Sequence, residues 1–352
     1  MSRTLLEQLG LGREGFTGGI HPEQEKLSAV LPIRDCPMPS VLIVPMKQHI
    51  GEACSPLVDV GDSVKRGQKI ARAQGYVSAP VHAPTSGKVI KIEEHPIPHP
   101  SGLGLPCMFI EPDGEDVWDT QLEPWPDYRE RDSGEVRERI RLGGIVGLGG
   151  AAFPTFIKLI RDKQHPIETI IVNGVECEPY LTNDHRLMLE EADAIVSGLD
   201  VIMHISGAPR AVIAIEDNKP DAIERMSKAV ADANRDDVVS ISVLPTKYPQ
   251  GSEKQLILSL TGREVPAGKL PMHIGVLCQN VATTKAIHEA VLLGRPLTER
   301  VVTVSGDAVA RPGNMRVRIG TSIRFVLAQH GVTDLDAGHV LHGGALMGER
   351  LP

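Results

Sequence analysis

The alternation of apolar and polar positions changes period along this chain, and each change marks a unit. Between residues 40 and 112 short runs alternate with period two and are broken by Gly and Pro, the pattern of half-buried strands joined by tight turns. The run Val58-Asp-Val-Gly-Asp-Ser-Val-Lys-Arg-Gly-Gln-Lys-Ile-Ala71 turns at Gly61-Asp62 and at Arg66-Gly67, and Val81-His-Ala-Pro-Thr-Ser-Gly-Lys-Val-Ile90 repeats the same idea. From about residue 136 to residue 294 β-branched runs alternate with helical ones. Residues 169–172, 211–215, 239–243 and 274–278 read as strands, and 184–205, 220–233, 252–260 and 281–293 as the helices that follow them. This alternation predicts a parallel sheet with helices on both faces, joined by right-handed crossovers. Beyond residue 300 the pattern shortens again. A strand at 301–304, a turn at Arg311-Pro-Gly-Asn314, a strand at 315–319 and a helix capped by Thr321 and running to His330 predict a small β-grasp-like unit. Residues 1–34 are polar and irregular, an arm laid over another domain. The expected organisation is multidomain α/β, with boundaries 1–34, 35–118, 119–298 and 299–352.

Composition narrows the function classes. Apolar residues make up 41% and charged residues 23%, so the chain folds. The net charge of −8 and the absence of a basic tract argue against nucleic acid and anionic membranes, and 3% aromatics are too few to stack single strands. No secretory signal pattern opens the chain, and its best apolar stretch, residues 197–215, is broken by Asp200, His204 and Arg210. The five cysteines are scattered without a CxxC pair, which points to a reduced cytosolic chain with no iron–sulfur or zinc motif. Cys177 reads as a small buried residue in preference to a redox thiol. His95 and His99 read as part of an extended Pro-rich loop, since spacing suggests no third metal ligand.

The alternating unit resembles the barrel-sandwich hybrid of lipoyl and biotinyl domains, yet residues 71–80, where a carrier lysine would stand, contain none. A structural or docking role is therefore expected, with residues 82–86 as the docking surface. The sharpest local signal lies in the middle of the chain. Gly143-Gly-Ile-Val-Gly-Leu-Gly-Gly-Ala-Ala-Phe-Pro154 opens a helix expected over 155–162, with Phe153, Phe156, Ile157 and Ile160 on one face. Small residues before a helix leave main-chain N–H groups free for phosphate, and Lys158 adds a cation. Taken alone, such a turn is as often structural as ligand-binding. Three further polar segments fall after strands: Asn173-Gly-Val-Glu-Cys-Glu-Pro179, Tyr248-Pro-Gln-Gly-Ser-Glu-Lys254 and Gln279-Asn-Val-Ala-Thr-Thr284. Parallel sheets bind ligands at that edge, so one nucleotide site is expected there.

On these segments, together with Phe16-Thr-Gly-Gly-Ile-His21, Gln48-His-Ile-Gly51, His99-Pro-Ser-Gly102 and Pro112-Asp-Gly-Glu-Asp116, the sequence resembles the RnfC family of the Rnf electron-transport complex over nearly its whole length. Its central region is similar to the NADH- and FMN-binding subunit of respiratory complex I. The resemblance implies a Rossmann-like FMN/NADH domain followed by a β-grasp domain of the soluble-ligand-binding type. It implies a flavoprotein exchanging hydride between NAD(H) and FMN, with no catalytic side chain and no metal ligand of its own. By the same resemblance the cofactor-binding residues are Gly147, Gly149, Gly150, Phe153, Lys158, Asn173, Glu176, Glu178, Gly251, Glu253, Asn280 and Thr283. Implied partners are the other Rnf subunits, including the membrane and iron–sulfur subunits, with ferredoxin reached through the complex at the cytoplasmic face of the bacterial inner membrane. Two [4Fe–4S] clusters belong, in the family pattern, to an extension beyond Pro352. The family's loop carries Gly where this chain has Ala152, whose methyl would be strained in a left-handed conformation. A cobalamin-reductase-type flavoprotein is one alternative. The other is a non-catalytic docking protein like the related soluble component of the sodium-pumping NADH:quinone reductase.

Overall fold

A computed structural model describes residues 16–98, 103–334 and 338–351. The first unit is two facing sheets. One contains Leu42–Pro45, Gly104–Pro112, Gly87–Pro96 and Ser63–Val64, and the other Ser55–Pro56, Lys69–Arg72 and Val81–His82. Period-two alternation sends Leu42, Val44, Ile70, Val89, Met108 and Ile110 into the space between them, where all six are fully buried. The expected Pro-rich loop around His95 is instead strand: Gly87–Pro96 pairs with Gly104–Pro112 as far as Pro96, and His95 packs edge-on to Phe109 at 5.4 Å. His99 lies outside the described residues.

The expected docking surface at 82–86 is also overturned. Those residues are buried, with Ser86 bonded to Asp113 (2.7 Å), Thr85 to Asp116 (3.1 Å) and the Ala83 N–H to the Gln68 carbonyl (2.9 Å). The segment faces the central unit: a Cβ on Gly144 would lie 2.6 Å from the Pro80 carbonyl.

The central unit is a four-stranded parallel sheet: β1 (Thr169–Gly174), β2 (Ala211–Glu216), β3 (Val239–Leu244) and β4 (Val276–Asn280), in the order β3-β2-β1-β4. Every residue of β2 is buried, as a central parallel strand requires. The helices are α1 (Ser133–Leu142), α2 (Thr155–Lys158), α3 (Asn183–Glu190), α4 (Ala192–Ser206), α5 (Pro220–Asp232), α6 (Glu253–Thr261) and α7 (Val281–Leu292). Three departures from the sequence pattern have local causes. The expected helix over 184–205 is broken at Glu191, whose backbone leaves the helical region (φ −125°, ψ 24°) and whose carboxylate reaches Arg316 at 2.8 Å. β4 starts two residues late because Pro271–Ile274 closes into a 3₁₀ turn ended by left-handed Gly275. The expected helix over 155–162 is a single turn, α2. Its bonds tighten to i→i−3 spacing at Ile157, Leu159 and Ile160, and Arg161 is drawn away to the carbonyls of His204 and Ile205 at the end of α4.

The last unit pairs Glu299–Val304 with Gly313–Arg318 and ends on a helix, Ile323–Gln329. Two expectations shift by a residue or two. Ser322, not Thr321, caps that helix, accepting from the Phe325 N–H at 3.2 Å, and the turn at 311–314 gives its last two residues to the strand. The third strand of the sheet comes from Arg34–Asp35, parallel to Gly313–Arg318. Ion pairs join the first and last units: Arg66 bridges Asp116 (3.0 Å) and Glu299 (2.7 Å), and Arg318 bridges the same two acids at 2.7 Å each. The Arg66 guanidinium lies 4.0 Å over the Trp118 ring. Among the described residues no helix is long and apolar enough to cross a membrane.

Candidate functional site

Strand order reverses between β1 and β4, so the crevice at their carboxyl ends is the topological switch point of the sheet. Asn173 and Asn280, the polar residues at those ends, stand opposite each other in register. The Gly-rich loop lies over them. It is a narrow hairpin, with the Gly147 N–H donating to the Phe153 carbonyl (2.8 Å) and the Thr155 N–H to that of Ile145 (3.0 Å). Its base is fixed to the first turn of α7 and to the last unit: the Leu148 N–H donates to Thr283 Oγ1 at 2.8 Å, and Arg300 Nη2 donates to the Leu148 carbonyl at 2.7 Å. At the apex Gly149, Gly150 and Ala151 are exposed. Among the described residues, no other group of the chain engages the N–H groups of Gly149, Gly150, Ala151 or Ala152. A Cβ on Gly149 would stand 2.8 Å from the Asn280 amide, whereas one on Gly150 would meet nothing within 4 Å. Ala152 is left-handed, at φ 49°.

The remaining sequence-predicted residues divide into two groups. Asn280 Oδ1 caps α7 through the Ala282 (2.9 Å) and Thr283 (3.3 Å) N–H groups, leaving its amide to donate to Asp184 Oδ2 at 2.6 Å. Asn173 Nδ2 donates to the Gly251 carbonyl (2.8 Å), and the Gly251 N–H donates to Cys177 Sγ (3.3 Å), so the segments after β1 and β3 are tied together. Gly251 permits that approach, since a Cβ there would fall 2.1 Å from the Val175 carbonyl. Lys158 Nζ pairs with Glu253 at 2.7 Å, and both side chains stay about a third exposed (35% and 38%), open to the cleft.

Glu176 and Glu178 are different. Both carboxylates already have protein partners. Glu176 accepts the N–H groups of Asp184 (2.8 Å) and His185 (3.3 Å) at the start of α3, and Glu178 accepts those of Leu346 and Met347 in the last unit. They shape the walls of the site.

Sequence reading missed three contributors. Asp184 is buried behind Asn280, and burial, then the neighbouring Glu176 charge, push its carboxyl up to about 7. Lys26 of the arm donates to the carbonyls of Glu176 (2.9 Å), Glu178 (2.8 Å) and Leu181 (2.9 Å), and burial lowers its ammonium below the usual lysine range. The barrel unit touches the loop through the Ile50 N–H and the Ala152 carbonyl (3.4 Å). Only Asp184 carried a signal, an acid at the start of the helix expected five residues past the polar segment that ends at Pro179. Cys177 is a buried thiol, raised by desolvation, and burial and then the Glu253 charge raise Cys278 to about 12.

The donor set fits a phosphate-bearing planar cofactor. Free main-chain N–H groups suit a phosphate, and the unobstructed face at Gly150 admits close approach.

Comparison with known proteins agrees with this arrangement. Family models match in sequence order: the RnfC barrel sandwich hybrid domain over residues 14–115, the Nuo51 FMN-binding domain over 140–289 and the SLBB domain over 301–348. The C subunit of the ion-translocating oxidoreductase complex of Pseudomonas aeruginosa is 46% identical over 338 residues, covering 96% of this chain and 43% of the relative. Its counterpart in Yersinia pestis is 47% identical over 338 residues, covering 96% of this chain and 54% of the relative. The chain thus spans about half the length of the curated relatives it matches. A crystal structure of an NAD+-reducing [NiFe]-hydrogenase in the H2-reduced state shares the fold, with a TM-score of 0.51 and 22% identity over 58% of this chain and 40% of that one. In sequence over nearly all its length, and in the order of its three modules, the chain belongs to the RnfC family of ion-translocating oxidoreductase complexes.

Proposed function

We propose that this chain is the FMN- and NAD(H)-binding part of an Rnf-type NADH:ferredoxin oxidoreductase complex. The observation that carries the reading is the exposed apex of the Gly-rich loop, its N–H groups free, anchored over the switch point of a parallel sheet. When bound, FMN supplies the exchange of a hydride with NAD(H) and its release as single electrons. The protein holds and orients. Gly149 and Gly150 present main chain to the phosphate, Gly147 and Phe153 close the hairpin beneath them, and Thr283 and Asn280 keep the loop over the switch point. Asn173 and Gly251 fix the two facing segments, and the Lys158–Glu253 pair lines the open side. Glu176 and Glu178 act as positioning residues through the main chain they hold. No side chain is needed as acid or base for hydride transfer itself.

A 2′-phosphate would meet Glu253, whose carboxylate already balances Lys158, so NADH is favoured over NADPH. Electrons leave through [4Fe–4S] clusters that lie, in the family pattern, outside the region spanned here. The chain works with the membrane and iron–sulfur subunits at the cytoplasmic face. The test is reconstitution with FMN. Binding at micromolar concentration, with the flavin released on acid precipitation, supports non-covalent FMN. No binding, or flavin that stays with the precipitated protein, contradicts it.

A further inference from the structure

We propose that Asp184 takes up a proton from solvent when FMN settles on the Gly-rich loop, with Asn280 as the side chain that joins the two sites. This rests on the FMN reading above. Asp184 stands in the first turn of α3, buried, and its carboxylate is held by amides: Asn280 Nδ2 at 2.6 Å and Asn183 Nδ2 at 3.1 Å. The charges around it come from every packed element. Glu176, after β1, is the nearest like charge, since its Oε1 accepts the Asp184 N–H at 2.8 Å. Arg300 from the last unit and Lys219 after β2 are the opposing cations. Lys219 is itself paired with Glu216 at 2.6 Å, Lys26 is directed at carbonyls, and His185 on α3 is paired with Asp221 at 2.8 Å. The amides favour the charged form, but burial and the neighbouring Glu176 carboxylate outweigh them, so the carboxyl holds its proton to about 7.

The route to the loop is short. Asn280 cannot rotate away, because its oxygen caps α7, and the other face of its amide meets Gly149. A phosphate carries close to two negative charges at neutral pH. Bringing it to the loop disfavours a third negative charge one side chain away, so the Asp184 carboxyl rises further. Between the free and bound values the complex holds a proton that the free protein lacks. By linkage, FMN binding weakens as pH rises through that interval.

Calorimetric titration of the full 352-residue chain with FMN near pH 7.5, in two buffers of different protonation enthalpy, measures the uptake directly. The wild type is expected to take up a sizeable fraction of a proton per FMN. The Asp184→Asn variant, which keeps an acceptor for Asn280, is expected to bind FMN with that uptake lost. Glu176→Gln removes the neighbouring charge and is expected to shift the uptake to lower pH, and it serves as the test should Asp184→Asn fail to fold. FMN binding with no uptake in the wild type, with equal uptake in Asp184→Asn, or with an unshifted profile in Glu176→Gln overturns the inference and leaves the FMN reading intact. A wild type that binds no FMN overturns both.

Discussion

Ala152 and His82 show how single residues set the properties of this site. Ala152 holds a left-handed backbone in the loop that faces the ligand. An L-residue with a Cβ is disfavoured there by roughly 1–2 kcal/mol, partly offset by the greater unfolded-state entropy of glycine. Ala152→Gly should therefore raise the denaturant midpoint of the FMN-free chain by the equivalent of about 0.5–1 kcal/mol, and a lowered midpoint would contradict the strain. His82 is buried beneath the junction with the central unit. Burial, then the Lys69 charge, lower its imidazole from the usual histidine value to about 3. With the folded value depressed, the unfolded chain binds the proton first. The stability contributed by neutral His82 is complete above about pH 6.5 and is lost as pH falls toward about 3, with a limiting slope near 1.4 kcal/mol per pH unit. Urea unfolding at a series of pH values should show a shallower acid loss in His82→Gln than in wild type; parallel curves would refute the assignment. Residue roles were the least legible feature of the sequence. Glu176 and Glu178 look like ligand-facing acids in a polar segment, and only folding reveals that main-chain N–H groups occupy both.

At the scale of elements, the parallel sheet and the three polar segments at its edge were legible, because each strand is a compact apolar run followed by a helical pattern. What sequence could not give was where helices stop. The apolar face of 155–162 continues past Lys158, yet Arg161 is drawn to the end of α4, a partner some 40 residues away in sequence. The break at Glu191 has the same character, since Arg316 lies in another unit. The loop itself makes a clean prediction. A Cβ on Gly150 meets no protein atom, and the backbone there is not left-handed, so Gly150→Ala should keep or slightly raise the unfolding midpoint. The same methyl would stand on the face where the ligand approaches, and FMN affinity should fall at least about tenfold. A fluorescence titration in which Gly150→Ala binds FMN like wild type would remove the loop from the site.

On the scale of the whole molecule, the order of the three modules was legible and their joining was not. Nothing in the polar arm announces that Lys26 holds three carbonyls of the segment after β1, or that Arg34–Asp35 completes a sheet with strands near residue 315. The Arg66–Asp116–Arg318–Glu299 network likewise links residues far apart in sequence, and it holds the barrel and the last unit against each other. Its members are largely buried and form a network, a setting in which ion pairs contribute more than isolated surface pairs do. The result is a cleft with fixed walls: the loop on the sheet, the barrel against Ala152, and the last unit against Glu178. The most direct test of the account is an anaerobic titration of the FMN-loaded chain with NADH, followed by flavin absorbance. Bleaching is expected to be complete at about one NADH per flavin, slower with NADPH at matched low concentration, and reversed on adding ferricyanide. Bound flavin that stays oxidised in excess NADH would contradict it.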